Sequence, residues 1–200
     1  YLAAKKRITN GAKQIIINRD DRYLNSIEFK GDHKLVKFTL DAPRPGEIGV
    51  VEELLVDRAF VDDPQEAIAL AELSDINPQA PHNVANALAA MALARSCGVN
   101  AESIAKGLRN FTPGHHRIEE IEHSAGIRWI NDSKATNPHA ANASLAAFSS
   151  IIWIAGGLAK GADMDELVKS KSSRVKAVLL IGTDRELIST ALAKHAPEIP

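Results

Sequence analysis

The sequence predicts an α/β protein in two parts, the second built on a mainly parallel, Rossmann-like sheet. Three observations predict this. Beyond residue 112, short apolar runs alternate with helical periodicity, and strands separated by helices imply right-handed crossovers and parallel pairing. The stretch Thr112-Pro113-Gly114-His115-His116 interrupts both helical and ladder hydrogen bonding, so it divides residues 1–111 from 112–200. A chain of 200 residues with 45% hydrophobic content can bury a real core, and its length lies between one large domain and two small ones.

In order along the chain, residues 1–8 have the pattern of an amphipathic helix with no visible N-cap, so a preceding segment is expected. Gln14 to Asn18 is a β-branched run that reads as a buried strand, ended by the polar loop Arg19-Asp20-Asp21-Arg22. From Lys34 to about Asn77 the pattern is a β-rich flank. Its strands, Leu35 to Leu40 and Gly49 to Phe60, are punctuated by Pro43, Pro45, Gly46 and the Asp62-Asp63-Pro64 turn. Pro81 opens an alanine-rich helix to about Cys97, with Gly98 as the residue that ends it, and Ala101 to Leu108 is a second helix. After the break, Arg117 to Glu122 and Ile127 to Asn131 read as strands and Ala140 to Phe148 as a helix. Ile151 to Ala155 is a strand, Asp163 to Lys169 a helix, Val175 to Ile181 a strand and Asp184 to His195 a helix. The final Ala196 to Pro200 follows a helix without a closing strand, so the sequence is expected to be cut at this end too.

Charge and cysteine content narrow the function classes. With 24 basic and 25 acidic residues there is no broad footprint for nucleic acid or an anionic membrane, which leaves small molecules as the expected partners. Cys97 is the only cysteine, so no internal disulfide framework exists and a reducing cytosol is the expected compartment. No apolar run reaches the roughly 20 residues of a membrane-spanning helix, and the start lacks a signal-peptide pattern.

In a sheet of the expected kind, ligands sit at the carboxyl ends of the strands. Two polar segments fall there. Asn131-Asp132-Ser133-Lys134-Ala135-Thr136-Asn137 packs an acid, a base, two hydroxyls and two amides ahead of a helix. Its ordinary explanation is a helix cap by Ser133, Thr136 or Asn137 with solvated neighbours. Its functional one has Asp132 accepting hydrogen bonds from a ribose, with Lys134 and Thr136 facing an anion near the helix amino end. Gly156-Gly157-Leu158-Ala159-Lys160-Gly161 lacks Walker spacing and is not a P-loop; its glycines alone would be simple turn residues.

Upstream, Asn83 and Asn86 lie three apart on one helix face, where a cap followed by an ordinary asparagine is the simplest reading. The adjacent His115 and His116 would point to opposite faces of an extended segment, which argues against shared zinc ligation. A surface salt bridge would account for Arg117, and a solvated helix face for Lys5.

The string Asn131 to Asn137 resembles the signature of the Mur ligase family, in its D-glutamate-adding branch, and several further segments fall in the same order. The resemblance covers nearly the whole chain and is strongest from Pro81 through Gly161. It implies residues 1–111 as the end of a central ATPase domain and 112–200 as an incomplete Rossmann-like ligase domain. It implies ATP-dependent amide bond formation between UDP-N-acetylmuramoyl-L-alanine and D-glutamate through an acyl phosphate, in peptidoglycan precursor synthesis. Lys134 is implied as catalytic. Asn83, Asn86, Arg117 and Asp132 are implied as ATP-binding, with Asn86 reading adenine through its paired donor and acceptor and Arg117 holding phosphates. Thr136 and Lys160 are implied as the D-glutamate site, from neighbouring strand ends of one crevice.

Tyr1-Leu2-Ala3-Ala4-Lys5 is similar to the stretch in which the family carbamylates a lysine. Lys5 is therefore implied as catalytic and as a Mg²⁺ ligand through its carbamate, with room for a second divalent ion. A monomer in the cytoplasm is expected, with no nucleic-acid or membrane partner. No G-x-x-x-x-G-K-[ST] occurs, so these 200 residues alone are not expected to turn over. Two rivals stay open: another amide ligase of the superfamily, such as a folate polyglutamate ligase, and a catalytically silent nucleotide-binding module of Rossmann type.

Overall fold

The computed structural model describes residues 2–159 and 161–200 and divides into two compact units, Tyr1–Thr112 and Pro113–Pro200. The first opens with a short helix, α1 (Leu2–Lys6), and a 3-10 turn. It continues as a five-stranded sheet in the order β1 (Gln14–Asn18), β2 (Lys34–Phe38), β3 (Glu47–Val51), β4 (Leu54–Asp57), β5 (Ile68–Glu72). The first three strands run parallel, and β3, β4 and β5 are antiparallel neighbours. The sheet is therefore mixed, because β3 and β4 are joined across Glu52 and Glu53, and a connection that short permits only antiparallel pairing.

Three consecutive isoleucines explain β1. Ile15 and Ile17 are buried on one face, while Ile16 packs against the main core on the other. A short helix that the polar string had not suggested, α2 (Arg22–Asn25), follows because the Asp21 carboxylate accepts from the Tyr23 and Leu24 N–H groups as an N-cap.

Helix α3 (Pro81–Ser96) covers the parallel part of the sheet with Val84, Ala87, Leu88, Met91 and Ala92. Pro81 is well placed at its first turn, where a missing N–H costs nothing. Gly98, at φ 81°, closes it: the Gly98 N–H donates to the Arg95 carbonyl at 2.9 Å and the Val99 N–H to the Ala94 carbonyl at 3.1 Å. Helix α4 (Ala101–Asn110), capped by Asn100, packs on β5. Between α3 and the sheet, the fully buried Asp57 carboxylate takes Arg95 Nε at 2.8 Å and the N–H groups of Ala59 and Phe60. Arg95 also reaches the Val99 and Phe60 carbonyls. This clamp joins positions 38 residues apart.

The second unit begins with an antiparallel hairpin, β6 (Glu119–Ser124) and β7 (Ile127–Asn131). Both turn residues have positive φ, Ala125 at 50° and Gly126 at 75°, the requirement of a two-residue turn matching strand twist. Their two-residue connection permits only antiparallel pairing between them. Helix α5 (Pro138–Leu145) leads to β8 (Ile151–Gly156), then α6 (Asp165–Lys171), β9 (Val175–Ile181) and α7 (Arg185–His195). Strands β8 and β9 pair in parallel through the α6 crossover, as a Rossmann-like arrangement requires. Among the described residues β7 and β8 lie in separate ladders, so the strand ends expected to be neighbours are not hydrogen-bonded neighbours. Val168 and Ala191 pack α6 against α7, while Ile152, Ile154, Leu179 and Ile181 stay exposed on the sheet. No helix among the described residues is long and apolar enough to cross a membrane.

Candidate functional site

The segment Asn131 to Asn137 leaves the end of β7 and is fixed at both ends. Asn137 is the N-cap of α5: its Oδ1 accepts from the Ala140 N–H at 2.9 Å, and Pro138 occupies the first turn. Of the three residues proposed as caps, this is the one used. At the other end Asn131 Oδ1 accepts from the Ser133 N–H at 3.1 Å. That bond orients the amide, so Nδ2 donates to His116 Nδ1 at 2.8 Å, and His116 must offer a lone pair there. The Lys134 N–H donates to the His116 carbonyl at 3.1 Å.

Asp132 is half-buried and well anchored. Its Oδ1 accepts from the Ile118 N–H at 3.0 Å, and its Oδ2 accepts from Ser144 Oγ on α5. Each oxygen keeps a second lone pair, so the carboxylate can still accept from a ligand hydroxyl. Ser133, Lys134 and Thr136 are exposed between these anchors. The loop is thus stiffly held where it meets the fold and presents a cation and two hydroxyls outward.

The partner segment, His115 to Glu119, carries unusual backbone. His116 has φ 66° and Ile118 φ 50°, and Ile118 is buried at 6% exposure. A β-branched residue there is held against its preference, at about 1–3 kcal/mol per residue of this kind. What holds it is Asp132 on the Ile118 N–H and Glu119 on the His116 N–H at 2.8 Å. Glu119 is held below the ordinary carboxylate range, chiefly by that backbone N–H and then by His115, whose Nδ1 lies 2.8 Å from its Oε1. The two histidines therefore both face Glu119, rather than opposite sides, because the positive φ at His116 turns the chain. Arg117, between the two strained residues, is exposed.

The glycine-rich segment follows β8. Gly156 has φ 152°, and a Cβ on it would lie 1.7 Å from the Ile181 carbonyl oxygen; a Cβ on Gly182, after β9, would lie 2.6 Å from the Gly157 nitrogen. These glycines permit backbone-to-backbone contact between the two strand ends. The Gly157 N–H donates to the Ile181 carbonyl at 3.3 Å, the Asp184 N–H to the Gly157 carbonyl at 3.1 Å, and the Ala159 N–H to Asp184 Oδ2 at 2.8 Å. Lys160, expected to meet a substrate carboxylate, lies outside the described residues.

Lys5, Asn83 and Asn86 belong to the first unit. Lys5 is exposed on α1. Asn83 is committed on one side, its Nδ2 donating to the Pro78 carbonyl at 3.1 Å, whereas Asn86 is exposed one turn later on the same face of α3. Among the described residues no group of three or more His, Cys, Asp or Glu side chains could hold a metal ion. A hard divalent cation prefers about six oxygen ligands, which this donor set does not provide by itself.

Local reasoning placed Asp132, Lys134 and Thr136 correctly on one loop, but it missed Asp184, Ser144 and the His116–Asn131 contact. Asp184 carried only the signal of an ordinary helix start. The other two join residues far apart in sequence.

Comparison with known proteins adds to this geometry. A family model described as "Mur ligase, glutamate ligase domain" matches residues 116–199. Over its whole length the chain is 53% identical to the UDP-N-acetylmuramoylalanine–D-glutamate ligase of Thermobifida fusca, of which it covers 44%. It is 52% identical to the ligase of the same name from Streptomyces avermitilis, again covering 44% of it. Over 84% of the chain it is 58% identical to that of Streptomyces coelicolor, covering 36%. The chain therefore spans less than half the length of the curated relatives it matches. Among solved structures it resembles MurF from Acinetobacter baumannii with a TM-score of 0.69 at 20% identity, covering 100% of this chain and 45% of that one. That likeness speaks to the fold.

Proposed function

Because the chain belongs to the Mur ligase family, we propose that it forms the nucleotide-facing and D-glutamate-accepting part of a UDP-N-acetylmuramoylalanine–D-glutamate ligase. The observation that carries this reading is the identity, over the chain's whole length, to relatives bearing that name, at 53% and 52%. On this reading ATP phosphorylates the carboxylate of UDP-N-acetylmuramoyl-L-alanine. The D-glutamate amine then attacks the acyl phosphate, forming an amide and releasing phosphate. Residues 1–111 would be the end of the central ATPase domain and 112–200 the ligase domain, working in the cytoplasm as a monomer.

The chain's own residues supply binding and orientation. Asn86 offers an exposed amide whose donor and acceptor suit adenine, with Asn83 bracing the start of the same helix against the Pro78 carbonyl. Asp132 has lone pairs left for ribose hydroxyls, and Arg117 a fork of donors for phosphate oxygens. Lys134 and Thr136 stand on a loop whose ends are fixed by Asn131, Asp132 and Asn137, so substrate contacts there would lose little ordering entropy. Thr136 and Lys160 would take the D-glutamate carboxylates. Lys5, as a carbamate, would add an oxygen anion for Mg²⁺, but the described residues do not complete such a site.

The experiment is a substitution in the full-length ligase carrying this chain. Lys160→Ala should raise the KM for D-glutamate sharply while leaving that for ATP near its original value. An unchanged D-glutamate KM would exclude the assignment.

A further inference from the structure

We propose that Asp184 is a positioning residue for the glycine-rich loop, holding the Ala159 N–H and so setting the segment that receives D-glutamate. The inference rests on the substrate reading given above. Asp184 occupies the N-cap position of α7, where an aspartate ordinarily accepts from the N–H groups of its own helix. Here its side chain makes no such bond. The first turn is closed by backbone alone, the Leu187 N–H donating to the Asp184 carbonyl at 3.1 Å, and Oδ2 is turned to the Ala159 N–H at 2.8 Å across 25 residues of sequence.

The loop has need of such an anchor. Gly156 and Gly157 sit at φ 152° and 112°, conformations that only glycine adopts freely, and two successive glycines leave the free loop with a wide choice of backbone states. The close approach of Gly182 to Gly157 and the bond from the Asp184 N–H to the Gly157 carbonyl fix the start of the loop. Asp184 Oδ2 fixes its far side two residues on, one residue before Lys160. A charge-assisted bond is roughly twice as strong as a neutral one, so this contact sets the loop's direction more firmly than a simple turn would.

Two substitutions separate the loop role from a helix-capping role. Asp184→Ser keeps a good N-cap but has too short a side chain to reach Ala159, and Asp184→Asn keeps a carbonyl oxygen at the same reach. In the chain itself, amide exchange at Ala159 should quicken about tenfold in Asp184→Ser, the effect expected for losing one such bond, and by no more than about threefold in Asp184→Asn, which keeps a neutral bond in place of a charge-assisted one. In the full-length ligase, Asp184→Ser should raise the D-glutamate KM about tenfold by the same reasoning, and Asp184→Asn should restore most of it, while KM for ATP and for the UDP-sugar stay within about twofold.

Unchanged Ala159 exchange in Asp184→Ser overturns the proposal, as does an equal rise in all three KM values or an Asp184→Asn variant as impaired as Asp184→Ser. Lys160→Ala tells the two readings apart. If it raises the D-glutamate KM and Asp184→Ser does not, positioning by Asp184 fails. If neither raises it while Ala159 exchange responds as expected, the substrate assignment of the loop fails instead.

Discussion

Replacing Asp132 by alanine tests how the site loop is held, and its cost can be worked from the contacts. The carboxylate accepts from the Ile118 N–H at 3.0 Å and from Ser144 Oγ. Ser144 loses little, since its hydroxyl already lies 3.1 Å from the Ala140 carbonyl and can donate there alone. Ile118 is only 6% exposed, so its N–H would be left buried without an acceptor, at about 1–3 kcal/mol. Part of this is returned as the strained φ of Ile118 relaxes. The net expectation is a loss of about 1–2 kcal/mol for Asp132→Ala. Asp132→Asn, which retains an oxygen for the Ile118 N–H, should lose under about 1 kcal/mol.

The assay is urea unfolding followed by tryptophan fluorescence. Trp129 and Trp153 are the chain's two tryptophans and both lie in the second unit, so the signal reports on the unit that is perturbed. Asp132→Ala within about 0.5 kcal/mol of wild type, or Asp132→Asn equally destabilised, would refute the reasoning.

Other perturbations follow from the same contacts. Arg95→Met strips the buried Asp57 of its cation, and far-UV circular dichroism should show the first unit destabilised by about 3–5 kcal/mol. Ala125→Gly removes the penalty of a positive φ at a residue with a Cβ, and should raise the stability of the second unit by about 0.5–1 kcal/mol in the same fluorescence assay. Gly156→Ala would force a Cβ to within 1.7 Å of the Ile181 carbonyl oxygen, so it should part the ends of β8 and β9, seen as accelerated amide exchange at Gly157. Glu119 and Asp165 are both held below their ordinary values, Glu119 chiefly by the His116 N–H and Asp165 chiefly by Lys194. A depressed carboxylate contributes stability that is present above its unfolded pKa and is lost as pH falls through the folded one. Unfolding midpoints of the second unit should therefore fall on acidification below the ordinary glutamate value of 4.5, and less steeply in Glu119→Gln.

Much of this architecture is legible from local pattern. The β-branched run at Gln14 to Asn18, the apolar run at Val175 to Ile181, and the pairing of Pro81 with Gly98 around α3 each mark an element by chemistry that acts within a few residues. What escapes is set by partners distant in sequence or by unfavoured conformers. Ala125 gives no hint that it will adopt the left-handed φ that makes β6 and β7 a hairpin. Asp21 looked like loop because two aspartates in succession suggest solvent, yet the second is the N-cap of α2. Asp184 shows the reverse: the local rule assigns it to its own helix, and a tertiary contact takes its side chain elsewhere. In the site loop, the sequence offers three residues as possible caps, and the structure uses Asn137, the one directly before Pro138 at the first turn of α5.

The central claim is the identity of the amino acid that the site accepts. The most direct measurement is phosphate release by the full-length ligase carrying this chain, with ATP, Mg²⁺ and UDP-N-acetylmuramoyl-L-alanine, offered a panel of acceptors that includes D-glutamate, L-glutamate and L-lysine. The account predicts phosphate release coupled to amide product with D-glutamate alone, and its weakening when Thr136 or Lys160 is replaced by alanine. Turnover with a different acceptor, or D-glutamate turnover indifferent to both substitutions, would contradict it.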